Sequence, residues 1–419
     1  FIIADANVTQ LEPMLRDRGL AAWAIPSAPA VKTHDLTVPR IGYVHSWQRT
    51  QDEGWVRAAL DYYGVPYTYF GEPVLKTGNL RAKYDVIIYP HGGSGAAGAP
   101  AGRGGPGGGA ASTPDSTPGG RGRGAAVVKP VPYRRTAEFP ALGYPDSTDD
   151  INGGAGQEGM KALYEFVQQG GTLITEGNTA SIFPSLNLTP GLKVETPQGL
   201  FANGTILRGL ITDKRSPLVY GYEYGEVPVY FNNAPVLNSG QPAAPAIEIP
   251  VAAGGRGRGY SQNITPMAAP NRVVLSPWDP AHTGTAYGAL PVDTSAASGG
   301  RGGRGGGGGA GPGGGGFGGR GRGAAAPQAL EGVTADPNAK MRVVMAFPEK
   351  AGDMLLSGTL AGGEALSNRA QLVDESIGKG HIVMFAFRPY WRWQTQGTFA
   401  MGFNAIVNWD HLDAGTANR

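Results

Sequence analysis

The sequence predicts an α/β protein with a doubly wound parallel sheet, a more β-rich portion and Gly/Arg-rich insertions. Two observations lead to this fold class. Apolar runs typical of buried strands alternate with amphipathic helical segments, which is the pattern of βαβ units. Three tracts rich in Gly and Arg interrupt that pattern, and they hold too few apolar residues to build a core of their own. The chain of 419 residues is long enough for a sizeable core.

Residues 1–39 are expected to form a βαβ junction segment followed by a linker. Residues 1–4 and 21–25 have the composition of short strands, and residues 8–18 have the apolar spacing of a helix. Pro13 weakens the helix prediction, because proline kinks a helix or delays its start. The first residue is Phe1 rather than Met, so we expect a processed or truncated start.

Residues 40–190 are expected to form the α/β core. The run YDVIIY at residues 84–89 is typical of a buried parallel strand, and Thr50 and Glu53 have the spacing of a capping box. Strands are also predicted at residues 40–46, 65–70 and 172–175, and helices at residues 50–63 and 157–169. A Gly-rich insertion at residues 92–126 separates the two halves of this region.

The remaining sequence divides into two parts. Residues 191–340 are expected to be β-rich, with Gly-rich insertions at 254–259 and 299–323. Residues 341–419 are expected to complete the core with a strand at 341–347, a hairpin formed by 372–375 and 381–387, and a final helix at 398–409.

Composition excludes several functions. The chain has no cysteine, so disulfides, Cys-ligated zinc and thiol nucleophiles are excluded. A chain without cysteine is also compatible with an oxidising compartment. Four Asn-x-Thr sequons, at Asn7, Asn187, Asn203 and Asn263, suit a secreted protein, although chance occurrence is the favoured explanation. No run of 18 apolar residues is present, so no membrane span is expected. A net charge of +2 does not indicate a nucleic-acid partner.

Two polar residues follow strands of the predicted core. His91 and Glu176 come at the ends of neighbouring strands, where open α/β sheets bind ligands. They could form an acid–base or metal-binding pair, although a turn-capping carboxylate is the simpler interpretation of Glu176. Asp52 and Glu53 could be paired carboxylates, but a capping box and the helix dipole explain them better. We expect no catalytic residue, no metal and no cofactor.

An aromatic and cationic cluster completes the candidate ligand site. Arg388, Trp391 and Arg392 belong to the motif RPYWRW, which could stack on sugars or bases and bind carboxylates. The alternative is a structural loop that seals the edge of the sheet, with Arg stacked on Trp.

The Gly/Arg-rich tracts allow three interpretations. Their composition is typical of flexible linkers. Their RGG and RGRG units also resemble segments that bind RNA or other polyanions, although a single aromatic residue limits base stacking. Gly-rich chains can also pack as extended threefold helices, and self-assembly is our leading hypothesis. The candidate assembly residues are Arg103, Arg121, Arg123, Arg256, Arg258, Arg301, Arg304, Phe317, Arg320 and Arg322.

Two segments carry a resemblance to a known family. They are RIGYVHSW…DEGWVRAALDYYGVPYTYF with YDVIIYP, and GKGHIVMFAFRPYWRWQTQGTF. Both resemble the C-terminal region of secreted bacterial proteins of the zinc carboxypeptidase A type, which is a class I glutamine amidotransferase-like domain with a flavodoxin-like parallel sheet. The resemblance covers most of the chain outside the tracts. It implies a secreted parent whose peptidase domain lies upstream.

Neither activity of these families carries over to the chain. None of the six histidines is followed by Glu three residues later, as the zinc site of such a carboxypeptidase requires. Glu176 falls where the amidotransferase Cys nucleophile would sit. We therefore expect a non-catalytic extracellular structural protein that assembles as a homo-oligomer or filament. The alternatives are a ligand- or glycan-binding domain accessory to a zinc carboxypeptidase, and polyanion or RNA binding through the tracts.

Overall fold

A computed structural model describes residues 2–3, 7–17, 22–47, 50–92, 130–143, 146–152, 154–240 and 329–416. The candidate assembly residues of all three tracts lie outside these ranges, so self-assembly through them stays a prediction. The chain forms two compact units, Phe1–Thr37 and Val38–Arg419. Among the described residues, no helix combines the length and apolar character that a membrane crossing requires.

The first unit contains one helix, α1 (Val8–Asp17), close to the predicted bounds and with Pro13 inside it. The strands predicted on both sides of the helix are wrong, because Ile2, Ile3 and residues 22–25 are not in strands. Ile3 and Trp23 are largely exposed. A strand is stable only when it pairs with a neighbour, and the described part of this unit provides no pairing. The expected βαβ unit is therefore absent from these residues.

The second unit is built on one mixed sheet of 12 strands, counted among the described residues. The strands are β1 (Ile41–His45), β2 (Thr68–Gly71), β3 (Val86–Tyr89), β4 (Thr172–Glu176), β5 (Lys193–Glu195), β6 (Thr205–Ile211), β7 (Glu226–Phe231), β8 (Val236–Asn238), β9 (Lys340–Ala346), β10 (Leu355–Ser357), β11 (Ala370–Ile377) and β12 (Gly380–Phe385). The helices are α2 (Thr50–Tyr62), α3 (Leu80–Lys83), α4 (Gly156–Gln168), α5 (Ile182–Ser185) and α6 (Gln396–Val407). The predicted α/β fold class is confirmed.

One half of the sheet is parallel and the other half is antiparallel. The parallel half has the order β2-β1-β3-β4-β12. This is the 2-1-3-4-5 order of flavodoxin-like sheets. The predicted hairpin of β11 and β12 is confirmed, and it joins β12 to the antiparallel strands β11, β9, β6 and β10. The sheet predicted as parallel is therefore mixed, and the β-rich portion extends the same sheet.

Helices cover both faces of the parallel strands. Alternate residues of β3 enter different cores: Ile88 packs with the face covered by α2 and α6, and Ile87 packs with the face covered by α4. Burial on both faces explains why this strand is apolar without alternation. The covered faces leave the ends of the strands as the places where polar side chains can gather.

Candidate functional site

Polar residues gather at the carboxyl edge of the parallel strands. His45 ends β1, Glu176 ends β4, and His91 and Arg388 follow β3 and β12 within three residues. The carboxyl ends of parallel strands lie at one edge of a sheet, and open α/β sheets bind ligands there. The first turn of α2 brings Asp52 to the same edge, where it pairs with Arg388.

Glu176 is a buried carboxyl group with defined partners. Its Oε1 accepts a hydrogen bond from the backbone N–H of His91 at 3.3 Å. Glu176 and Thr179 also form a reciprocal capping arrangement, in which Oγ1 of Thr179 accepts from the Glu176 N–H at 3.1 Å. Burial raises the pKa of Glu176 to about 8, and the charge of Asp52 adds to this rise. The turn-capping interpretation of Glu176 is correct, and its carboxyl group also contacts the backbone of His91.

His91 is held in one orientation. Its Nδ1 accepts a hydrogen bond from the backbone N–H of Asn178 at 3.0 Å, so the proton of the neutral ring lies on Nε2. Nε2 lies 2.9 Å from Nη2 of Arg388 and 3.9 Å from Oδ2 of Asp52. Gly177 makes this approach possible, because it has φ +55° and a Cβ there would lie 2.3 Å from Nδ1 of His91.

Arg388 is fixed by an ion pair and by two aromatic rings. Its Nη1 donates to Oδ1 of Asp52 at 2.9 Å, and both side chains are largely buried. The guanidinium lies 4.7 Å from the ring centroid of Trp391 and 5.7 Å from that of Tyr230. These two rings stack at 4.5 Å with an interplanar angle of 15°. The aromatic pair therefore forms one wall beside the charged groups.

The structure brings four of the five predicted ligand-site residues together: His91, Glu176, Arg388 and Trp391. Arg392 is the exception. Its side chain is exposed, and it contacts the ring of Trp391 at 5.4 Å without a hydrogen bond to the other four. Arg392 and Trp393 have φ angles of 49° and 59°, which are unusual for residues with large side chains. This turn sets the position of Trp391 beside Arg388.

Glu53 is a site residue that the sequence analysis assigned to helix capping. The expected capping box is wrong, because the Glu53 carboxylate accepts hydrogen bonds from the Ser46 N–H at 3.1 Å and from the Tyr69 hydroxyl. Glu53 is buried, and burial raises its pKa to about 7 against the opposing hydrogen bond from Tyr69. The two adjacent acidic residues at 52–53 were the only indication of this site in the sequence. The sequence does not show that Ser46 and Tyr69 contact Glu53.

His45 extends the cluster to Asp146, which follows the first Gly-rich insertion in the sequence. Its Nε2 lies 2.5 Å from Oδ2 of Asp146, and its Nδ1 lies 4.0 Å from Oε1 of Glu53. The ring stacks on Tyr69 with 4.3 Å between centroids. The segment that follows the insertion therefore returns to this edge of the sheet through Asp146.

Metal binding finds no support in the described residues, which contain no group of three or more His, Asp or Glu side chains arranged for a metal. The hydrogen bond at Nδ1 of His91 and the guanidinium beside its Nε2 also oppose a cation at this ring.

Comparisons with known proteins add no family. No family model matches the sequence, and no curated protein matches it. Solved structures with some similarity include two cytoplasmic proteins from Salmonella typhimurium. One has 11% identity and a TM-score of 0.31, over 88% of this chain and 97% of its own. The other has 9% identity and a TM-score of 0.34, over 88% of this chain and 99% of its own. Similarity at this level carries no functional argument.

Proposed function

We propose that the carboxyl edge binds a small zwitterionic ligand that carries a carboxylate and an ammonium group, as a free amino acid does. The contact between Arg388 and His91 carries this proposal. Nη2 of Arg388 is always a donor, and it lies 2.9 Å from Nε2 of His91, the ring nitrogen that carries the proton when Nδ1 accepts from Asn178. A carboxylate group can accept a hydrogen bond from each of these two nitrogens.

The other groups of the edge suit the rest of such a ligand. Oδ2 of Asp52 lies 3.9 Å from Nε2 of His91, and Oε1 of Glu176 accepts from the backbone N–H of His91. Both oxygens can accept a hydrogen bond from an ammonium group. The stacked rings of Trp391 and Tyr230 offer an apolar wall to a ligand side chain. The resemblance to a region that follows a carboxypeptidase fits this proposal, because such a peptidase releases free amino acids. We therefore propose that the chain is an extracellular accessory domain.

Saturation-transfer NMR with the 20 common amino acids tests the proposal on the full chain. We expect at least one amino acid to bind. Two analogues of it, the amine that lacks the carboxylate and the carboxylic acid that lacks the ammonium group, should bind at least tenfold more weakly. Arg388→Gln should weaken binding by at least tenfold. Arg392→Gln is the matched control, because Arg392 contacts the same Trp391 ring from the exposed side. Absence of binding by all 20, or equal losses in both variants, contradicts the proposal.

A second proposal is self-assembly through the Gly/Arg-rich tracts. The folded core supports it, because the strands on both sides of each large insertion belong to the same sheet. β3 pairs with β4 across the first tract, and β8 and β9 both pair with β11 on either side of residues 241–328. Because these strand pairings involve no residue of the tracts, we propose that the Arg residues of the tracts are used for intermolecular contacts.

Electron microscopy and light scattering test this second proposal. We expect filaments or regular oligomers from the full chain, and their loss when residues 299–323 are deleted while the circular dichroism spectrum is kept. Unchanged assembly by the deletion variant contradicts the proposal. RNA binding that falls steeply with salt and is lost on Arg→Ala changes in the tracts would assign them to polyanion binding instead.

A further inference from the structure

A cleft lies at the opposite, amino edge of the sheet, around the start of β12. It has a volume of about 1010 Å³. Its lining contains five basic and three acidic residues, if His381 is counted as basic. The basic residues are Arg215, Lys340, Arg342, Lys379 and His381, and the acidic residues are Asp213, Asp374 and Asp413. Basic groups are therefore in excess.

The register of three strands assembles this lining. Asp374 on β11 lies opposite Arg342 on β9, and Ser376 on β11 lies opposite both Lys340 on β9 and His381 on β12. Directly opposed residues of antiparallel strands point to the same face, and so do residues two apart on one strand. All five side chains therefore belong to one face of the sheet.

His381 is buried between two carboxylates of different exposure. Its Nδ1 lies 2.8 Å from Oδ1 of Asp374, which is itself buried. Its Nε2 lies 3.7 Å from Oδ2 of Asp413, whose side chain is 74% exposed. Burial lowers the pKa of His381, but both carboxylates oppose this effect and raise it to about 10. Asp374 therefore orients a charged ring whose Nε2–H faces the outer carboxylate.

Two lysines that line the same cleft as His381 form no ion pair with the described residues. Lys340 and Lys379 are exposed, and no carboxylate of the described residues lies within 4.0 Å of either ammonium group. Two nitrogens of Arg342 already have acceptors: its Nε donates to Asp213, and its Nη1 donates to the carbonyls of Leu412 and Ala414. Its buried Nη2 has no acceptor among the described residues.

We propose that this cleft binds a phosphate or sulfate group, with Nε2–H of His381 and the ammonium groups of Lys340 and Lys379 as donors. A charge-assisted N–H···O bond is normally about 2.7–2.9 Å long, so the 3.7 Å contact with Asp413 is loose. A tetrahedral oxyanion can take the place of this exposed carboxylate at Nε2. Asp413 then acts as a competitor for the ligand.

Isothermal titration calorimetry of the full chain with inorganic phosphate tests the proposal, at constant ionic strength set by chloride. We expect Lys340→Gln/Lys379→Gln to weaken binding by at least tenfold. The matched control is Lys193→Gln/Lys350→Gln, which removes two exposed lysines that do not line the cleft. Asp413→Asn should tighten phosphate binding about three- to tenfold, because it removes the competing charge. Glycerol 2-phosphate in place of phosphate distinguishes a phosphomonoester from the free anion by its tighter binding.

A purely structural role of His381, Lys340 and Lys379 gives a different result. It predicts that Asp413→Asn lowers the thermal midpoint and leaves phosphate affinity unchanged, which would overturn the proposal. Absence of saturable phosphate binding by both the unmodified chain and Asp413→Asn, or equal losses in the test and control lysine variants, would overturn it as well. Arg388→Gln should leave phosphate binding unchanged, so failure here is separable from failure of the amino-acid site.

Discussion

The ion pair of Asp52 and Arg388 joins the first turn of α2 to the segment after β12, across 336 positions of sequence. Their side chains are 14% and 12% exposed, so little water screens the pair. The pair holds the guanidinium against Trp391 and beside His91. The position of Arg388 and its distance from His91, the two proposed carboxylate-binding donors, thus depend on Asp52, a residue of opposite charge to Arg388 on a distant helix.

The first prediction concerns the strength of this pair. Arg388→Gln and Asp52→Asn should each lower the free energy of unfolding by about 2–4 kcal/mol, because each leaves one largely buried charge without its partner. The double variant should recover part of the loss, with a coupling energy of about 1–3 kcal/mol. Urea unfolding at neutral pH measures all four proteins of the cycle. A coupling below about 0.5 kcal/mol would show that the pair is not energetically linked.

The second prediction concerns the turn beneath His91. Gly177→Ala should cost about 2–4 kcal/mol and abolish amino-acid binding, because it combines a positive φ with a contact of 2.3 Å to Nδ1 of His91. Gly199→Ala is the matched control: it has φ +80° and no atom within 4 Å of its Cβ. It should cost only about 1 kcal/mol, the penalty of the backbone conformation. Equal costs in thermal unfolding would remove the steric argument.

The third prediction concerns pH and buried carboxyl groups. Glu375 is fully buried, and its oxygens have no hydrogen-bond partner among the described residues. Burial, aided by Asp374, raises the pKa of Glu375 to about 8, as burial does for Glu176. A carboxyl group whose pKa is raised on folding favours the folded state below its ordinary pKa of 4.5. This contribution is lost as pH rises through about 8, so the protein should lose stability between about pH 5 and pH 9.

Glu375→Gln tests this linkage. In this variant the loss of unfolding free energy between pH 5 and pH 9 should be about 2–4 kcal/mol smaller than in the unmodified chain, because each pKa unit corresponds to about 1.4 kcal/mol. Glu349→Gln is the exposed control and should leave the pH profile unchanged. Urea unfolding at both pH values measures the difference. A parallel pH profile for Glu375→Gln and the unmodified chain would contradict the assignment.

The fourth prediction concerns His381. Because Asp374 and Asp413 hold its pKa at about 10, both ring nitrogens should be protonated at pH 8, which their ¹⁵N chemical shifts report. The stability that the charged ring contributes should be present below pH 6.5 and lost as pH rises through about 10. Asp374→Asn should lower the pKa of His381 by at least one unit. A ring that titrates near pH 6.5 in the unmodified chain would refute the buried ion pair.

Most of the core could be predicted from the sequence because strand and helix signals are local. The periodicity of residues 157–169 predicted α4, the apolar run at 84–89 predicted β3, and the Gly-Lys-Gly turn predicted the β11–β12 hairpin. The strands expected at 1–4 and 21–25 had similar local composition, but pairing decides whether such segments form strands.

The sequence alone placed His91 and Glu176 at the same edge, because the carboxyl ends of parallel strands meet there once their order is known. It could not pair Asp52 with Arg388, or distinguish the capping box of Glu53 from its bond to Tyr69. Nor could it place His381 between Asp374 and Asp413, which needs the register of β11 and β12 and the path of the C-terminal segment. Burial and charge proximity depend on the assembled sheet, so the raised pKa values and the geometry of both proposed ligand sites emerge only in the tertiary structure.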